Sequence, residues 1–331
     1  MHGNCIPVKG AVKSVICDLQ RHELKQISND VFELLELLKN HPVEYLKNIY
    51  TTEFIDESLE FCVTNEFGFY TEEPWLFPEI DLSWDSPYQI SNAIIDSSKQ
   101  SKHNYKKIID ELDELGCETI QFRFYFCPQL SFLNHILLLT QVSRLKSIQL
   151  ILKDENLITQ KELEEVCRAN PRIESIFLHS SHLFRIIDKI EGSHANIIYF
   201  TDRIESHDSC GNINKMYFCI NIPMFTEAHK LNTCLNRKIS IDVNGDIKNC
   251  PSMTRHFGNI HNTSLHSAII QKEFKDLWLI NKDQIEVCKI CEFRYVCTDC
   301  RAFITEPSNI YSKPSKCTYD PTIGKWLDET Q

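Results

Sequence analysis

Cys288-Lys-Ile-Cys291-Glu-Phe-Arg-Tyr-Val-Cys297-Thr-Asp-Cys300 places four cysteines within thirteen residues. Two thiolates two residues apart can grip one metal centre from a single turn, and packing alone gives no reason for such a quartet. Cys234-x10-Gly245-x4-Cys250 stands upstream and Cys317 downstream, so seven cysteines share the last hundred residues. Cys219, fifteen residues before Cys234, is the nearest candidate for an eighth ligand. Thiolates in this number suit iron–sulfur clusters, for which four per cubane is usual. Cys-x2-Cys pairs also build tetrahedral zinc sites, and spacing alone does not separate the two metals. The plain alternative is a set of buried structural cysteines, with most weight at Cys219 and Cys317.

Around this tail lies a chain of 331 residues, enough for two or three domains, with 42% hydrophobic and 24% charged residues, as in ordinary globular proteins. The most apolar stretch, Phe122 to Thr140, is broken by Arg123, Pro128, Asn134 and His135, so no membrane span is expected. The first residues, Met1-His-Gly-Asn-Cys5, lack a basic segment followed by an apolar core. Fifteen cysteines without a secretion signal predict a reducing cytoplasm and ligand thiolates, not a disulfide framework. Residues 1–85 hold 6 Lys and Arg against 16 Asp and Glu, a net of −10 out of the chain's −11. That acidity argues against nucleic acid as a partner there and suits a basic peptide, although a solvated acidic surface is the bland reading.

Alternation and turn signals divide the chain at about residues 85 and 221. In 1–85, strands are expected at Cys5–Val8, Lys13–Leu19 and His22–Ile27, then helices over Asp30–Lys39, after Pro42 to Tyr50, and over Glu53–Asn65. Residues 86–221 alternate strand and helix. Strands are expected at Ile90–Ile95, Thr119–Phe126, Ser147–Leu152, Ser175–His179, Asn196–Phe200 and Met216–Ile220, with helices at Tyr105–Leu115, Ser131–Val142, Gln160–Ala169 and Leu183–Ile190. A repeating βαβ rhythm of this kind predicts parallel strands in a partial (β/α)6 barrel or an open sheet. In 222–331, Arg237–Val243 and Asp246–Asn249 flank Asn244-Gly245, which predicts a hairpin with a type I′ turn, and a helix is expected over Ser264–Leu279.

The cysteine arrangement of 222–331 is similar to the SPASM domain, an appendage of radical SAM enzymes that mature peptides and that carries two auxiliary [4Fe–4S] clusters. The usual quartet ends in C-x3-C, from which Cys297-x2-Cys300 departs by one residue. If the family wiring transfers, Cys234, Cys250 and Cys300 hold one cluster, and Cys288, Cys291, Cys297 and Cys317 the other. Asn232-Thr-Cys-Leu-Asn-Arg237, Ile247-Lys-Asn-Cys-Pro-Ser-Met253 and Phe257-Gly-Asn-Ile260 resemble one subgroup, the SPASM peptide maturase of grasp-with-SPASM (RiPP) systems, over nearly the whole chain. That resemblance implies an accessory maturase acting with an ATP-grasp ligase on a ribosomal precursor peptide. A redox enzyme acting on the peptide through its clusters and a zinc-stapled peptide-binding scaffold are the other readings.

A radical SAM enzyme needs a C-x3-C-x2-C loop after its first barrel strand. Here Asp96-Ser-Ser-Lys-Gln-Ser-Lys-His-Asn-Tyr105 stands in that place without a cysteine. The region therefore resembles a degenerate radical SAM barrel, S-adenosylmethionine is not expected as a cofactor, and no catalytic residue is assigned. His103, Cys117 and Cys127 could in principle form a substitute site, but no spacing unites them and each reads as a lone surface or core residue. Phosphate-binding and hydrolase motifs are missing as well. Lys289, Arg294 and Arg301, among the quartet, could offset the charge of a cluster, or be ordinary surface bases. The N-terminal strands and helices resemble a winged-helix-like leader-recognition domain, in which an extended peptide adds to a sheet edge. By that resemblance His22, Leu24 and Gln26 on the third strand and Glu53, Phe54, Glu57 and Phe61 on the third helix line the groove, unless the apolar ones pack the domain's own core.

Overall fold

The computed structural model describes residues 1–327. The chain forms two compact units. The first joins residues 1–85, 212–234 and 279 onward; the second joins 86–211 and 235–278.

The first unit opens with β1 (Cys5–Val8), β2 (Lys13–Asp18) and β3 (Glu23–Ser28), an antiparallel sheet in that order, so β3 is an edge. The period of two sorts β2 into two cores. Val15 and Cys17 join Val8, Phe225, Phe293, Val296, Cys297 and Trp326 on one side. Ile16 joins Ile27, Leu34, Leu35, Leu46, Ile55, Cys62 and Phe67 on the other. That second core is covered by α1 (Asn29–Leu38), α2 (Val43–Leu46) and α3 (Thr52–Thr64). Their starts follow capping chemistry: the Ser28 hydroxyl accepts from Val31 N–H, and the Thr51 hydroxyl from Phe54 N–H. The strand expected at His22–Ile27 starts one residue later, because His22 turns with φ +61°.

In the second unit, β4 (Asn92–Ser97), β5 (Thr119–Phe124), β6 (Ser147–Lys153) and β7 (Ile173–His179) pair in parallel, with α4 (Tyr105–Glu114), α5 (Leu130–Thr140) and α6 (Gln160–Ala169) between them. Next come β8 (Arg185–Ile187), antiparallel, and β9 (Asn196–Tyr199), parallel to β7. A helix expected at Leu183–Ile190 is thus a short edge strand. Leu183, Phe184 and Ile186 are all exposed, so there is no apolar helical face to bury, and β-branched Ile186-Ile187 pairs with β9 instead. The strand expected at Met216–Ile220 is also absent: Lys215–Tyr217 is a 3-10 turn, fixed by the Asn214 side chain accepting from Met216 N–H.

The chain then forms α7 (Ile222–Ala228) in the first unit and, in the second, β10 (Lys238–Ile241), which lies parallel to β4, and β11 (Ile247–Lys248). The result is a mixed eight-stranded sheet, β11-β10-β4-β5-β6-β7-β9-β8. Its sixth parallel strand is therefore β10, drawn from the cysteine-rich tail and not from 86–221. The β10–β11 turn also differs from expectation. Type I′ needs positive φ at both central residues, and only Gly245 has it, at +88°. Gly245 N–H bonds Asp242 O and Asp242 N–H bonds Asp246 O, a three-residue loop with Gly at its left-handed position. Helix α8 (Leu265–Ile269) is much shorter than the expected Ser264–Leu279, because Gln271 turns extended and sends its side chain to Phe257 O at 2.9 Å. Two 3-10 turns follow, Lys272–Phe274 and Asp276–Leu279. The first unit closes with β12 (Tyr319–Asp320) and β13 (Lys325–Trp326). No helix among the described residues is long and apolar enough to cross a membrane.

Candidate metal centre

Val287 opens the quartet at the centre of a positive-φ γ-turn, φ +65° and ψ −46°, closed by Cys288 N–H to Glu286 O at 2.7 Å. From it Cys288–Ile290 winds as a 3-10 turn, closed by Cys291 N–H to Cys288 O at 2.9 Å. A second tight turn, Cys297 N–H to Phe293 O at 3.0 Å, is anchored by Phe293 and Val296 in the core below β2. The thiols are close enough to act on one another's charge: Cys317 on Cys288 and Cys297, and Cys297 and Cys288 on Cys291, while Cys297 Sγ donates to Thr298 O at 3.3 Å. Burial pushes the thiols of Cys288 and Cys291 up and that of Cys297 to about 11. Among the described residues no three His, Cys, Asp or Glu side chains converge as a set for a single ion.

The charges around them matter more than the sequence suggested. Lys282, Asp299 and Arg301 are buried, at 5%, 1% and 2% exposure. Arg301 grips Asp299 Oδ1 through Nε at 3.0 Å and Nη2 at 2.7 Å. Asn232 Nδ2 takes Oδ2 at 2.6 Å. Lys282 stands 3.9 Å from Oδ1. Burial works against its ammonium, yet Cys297, Cys288, Asp299 and Cys291 outweigh it and raise the pKa. Two buried cations against one carboxylate leave a positive charge that an apolar interior does not tolerate alone. Deprotonated thiols on a metal would supply the missing negative charge. The donor set therefore fits a thiolate-held iron–sulfur cluster on Cys288, Cys291, Cys297 and Cys317, which would provide an electron reservoir there.

The other cysteines are placed differently. Cys234 and Cys300 lie in the first unit and Cys250 in the second. Asn232 Oδ1 accepts from Cys234 N–H at 3.1 Å, while its amide reaches Asp299, one residue before Cys300. Cys219 N–H bonds Val296 O at 2.9 Å, beside Cys297, while its sulfur accepts from Asn221 Nδ2 at 3.1 Å and burial raises its pKa. Of the three bases expected near the quartet, Arg301 is fully internal, Arg294 turns to Asp283 and Lys9 O, and Lys289 is exposed. Lys282 was not foreseen. Its only signal was a lysine six residues before the first cysteine of the quartet.

In the second unit, the carboxyl ends of β4 and β5 are filled by a buried ion pair. Arg123 binds Asp96 through Nε at 2.6 Å and Nη2 at 2.9 Å, and Tyr125 donates to Asp96 Oδ2 at 2.5 Å. His103 Nε2 lies 2.8 Å from Asp96 O. Cys117 precedes β5 and Cys127 follows it. Six strand residues span roughly 20 Å at about 3.3 Å each, so the two sulfurs and His103 form no common site.

On the N-terminal sheet, His22, Gln26, Glu53 and Glu57 are exposed. Leu24 packs on the core shared with Phe218 and Ile220, while Phe54 and Phe61 pack on the α1–α3 core. Glu53, Asp56, Glu57 and Glu60 are all exposed at helical spacing, giving α3 an acidic stripe. Residues 51–85 hold ten Asp and Glu and no Lys, Arg or His.

Residues 233–292 match the SPASM family, an iron–sulfur cluster-binding domain. The chain thus contains a SPASM domain, and the matched span takes in Cys234, Cys250, Cys288 and Cys291. A domain of this kind points to iron–sulfur cluster binding, in keeping with the charge balance around the quartet. No curated protein matches the chain.

Proposed function

We propose that this protein is an accessory factor in the maturation of a ribosomally made peptide. It holds a basic stretch of the precursor on residues 1–85 and carries one or two [4Fe–4S] clusters on Cys234, Cys250, Cys288, Cys291, Cys297, Cys300 and Cys317. An ATP-grasp ligase is its partner in this reading and supplies the ATP chemistry, for which the present chain has no phosphate-binding loop. The observation that carries the proposal is the edge strand β3 in a unit that also bears the acidic stripe of α3, within a chain that has a SPASM domain. An edge strand offers unpaired N–H and C=O groups to an extended peptide, and exposed carboxylates favour lysine and arginine side chains. The test is fluorescence anisotropy with labelled short peptides encoded beside the gene. Binding that weakens as salt rises, and that is lost in the double variant Glu53→Lys, Glu57→Lys, is expected. Binding that the double variant leaves unchanged would sink the proposal.

A further inference from the structure

We infer that Lys282 is the charge-balancing residue of the metal centre on Cys288, Cys291, Cys297 and Cys317, and that it raises the reduction potential of that centre. The inference rests on the iron–sulfur reading above and assigns a task to a residue outside the cysteine motif.

A lysine this deeply buried needs an anion. Its nearest carboxylate, Asp299, is 3.9 Å away, beyond hydrogen-bonding reach, and both oxygens of that carboxylate are already bonded, Oδ1 to Arg301 and Oδ2 to Asn232. Glu292, the other buried carboxylate of the quartet segment, gives Oε1 to the Tyr319 hydroxyl at 2.5 Å, and its charged neighbours are Lys13 and Arg294. Sulfurs are what remain to Lys282: Cys297, Cys288 and Cys291 all act on it. Protonated thiols offer a cation little. Thiolates on iron offer it net negative charge in a medium of low polarity, where each charge acts strongly. One-electron reduction adds a further negative charge to the cluster, so a fixed cation beside it favours the reduced form. The same cation is a liability when the metal is absent, since it then shares the single Asp299 carboxylate with Arg301.

Opposite effects in the two states distinguish this role from packing. Lys282→Met and Lys282→Arg are compared with wild type after anaerobic purification, by iron and sulfide content, by dye-mediated potentiometric titration followed by electron paramagnetic resonance, and by the melting temperature of chelator-treated, cluster-free protein. K282M should show a lower midpoint potential and poorer iron retention, yet melt higher than wild type when cluster-free; K282R should stay near wild type. Lys282→Gln gives the same comparison if K282M does not fold. A loaded variant with unchanged potential, or a neutral variant that melts lower without the cluster, overturns the inference while leaving the iron–sulfur reading intact. Wild-type protein without iron and sulfide overturns both.

Discussion

Asn232 donates to Asp299 across 2.6 Å, with both residues buried, and so ties the segment entering Cys234 to the one entering Cys300. Asp299 also neutralises Arg301 and lies closest to Lys282. Removing its charge would leave two buried cations unmatched, whereas a surface carboxylate could be lost at little cost. Asp299→Asn should therefore cost about 3–5 kcal/mol of stability, the usual result of breaking a buried pair from one side. Urea unfolding of cluster-free protein is the measurement, and a loss below about 1 kcal/mol would contradict a dry network in which Asp299 holds both cations.

Cysteine variants distinguish the four candidate ligands from a sulfur already engaged by a side chain. Cys288→Ala removes a member of the set and should abolish the iron and sulfide of that cluster. Cys219→Ala removes a sulfur held by Asn221, and iron content should not change. Equal losses in both would make Cys219 a ligand and the present grouping incomplete.

Stability should fall as pH drops below neutrality, through the buried histidines. His179 is fully buried at the end of β7, and burial lowers its pKa more than the nearby Phe124 carbonyl raises it. His103 and His229 shift the same way, also through burial. A histidine whose folded pKa lies below its unfolded value of about 6.5 binds more protons when unfolded. Its stabilising contribution is complete above that unfolded pKa and is lost as pH falls through it toward the folded pKa. Melting temperatures measured from pH 8 to 5 should decline, and His179→Gln should flatten the decline without removing it, since two other histidines remain. An unaltered slope in that variant would place the linkage elsewhere.

Much of this architecture could be read from residue order, for reasons that differ by element. β5 announced itself through the alternation of Ile120, Phe122 and Phe124, β6 and β7 through the short apolar runs Leu150–Leu152 and Ile176–Leu178, and α6 through the capping box of Thr159 and Glu162. What escaped were choices made by tertiary partners. Ile186 and Ile187 carry a helix-compatible pattern, but β9 offered an edge. Lys238–Ile241 joined the parallel sheet beside β4 although the chain between them runs through every other parallel strand. At the candidate metal centre the cysteines stand out by their spacing. Lys282 and Asn232 were not, because a buried charge is defined by what surrounds it in space and not by neighbours in sequence.

Val287 supplies the last test, because its backbone is strained where the quartet begins. A β-branched residue at φ +65° and ψ −46° is an outlier: this is the positive-φ γ-turn conformation, and backbone strain of this kind costs about 1–3 kcal/mol. The side chain is 37% exposed, so packing recovers little of that cost. The turn that follows is held by Cys288 N–H to Glu286 O at 2.7 Å and Ile290 N–H to Val287 O at 3.3 Å, and both bonds require the kink. Glycine carries no Cβ to clash in this conformation, against about 0.5–1 kcal/mol of extra chain entropy. Val287→Gly should thus raise stability by about 1 kcal/mol in cluster-free protein while preserving iron content. Guanidinium unfolding with parallel iron analysis decides the matter. A stabilised variant that no longer retains iron would show that the strain is relieved only by turning Cys288 away from its partners, and an unchanged or lower midpoint would show that Val287 sits there without strain.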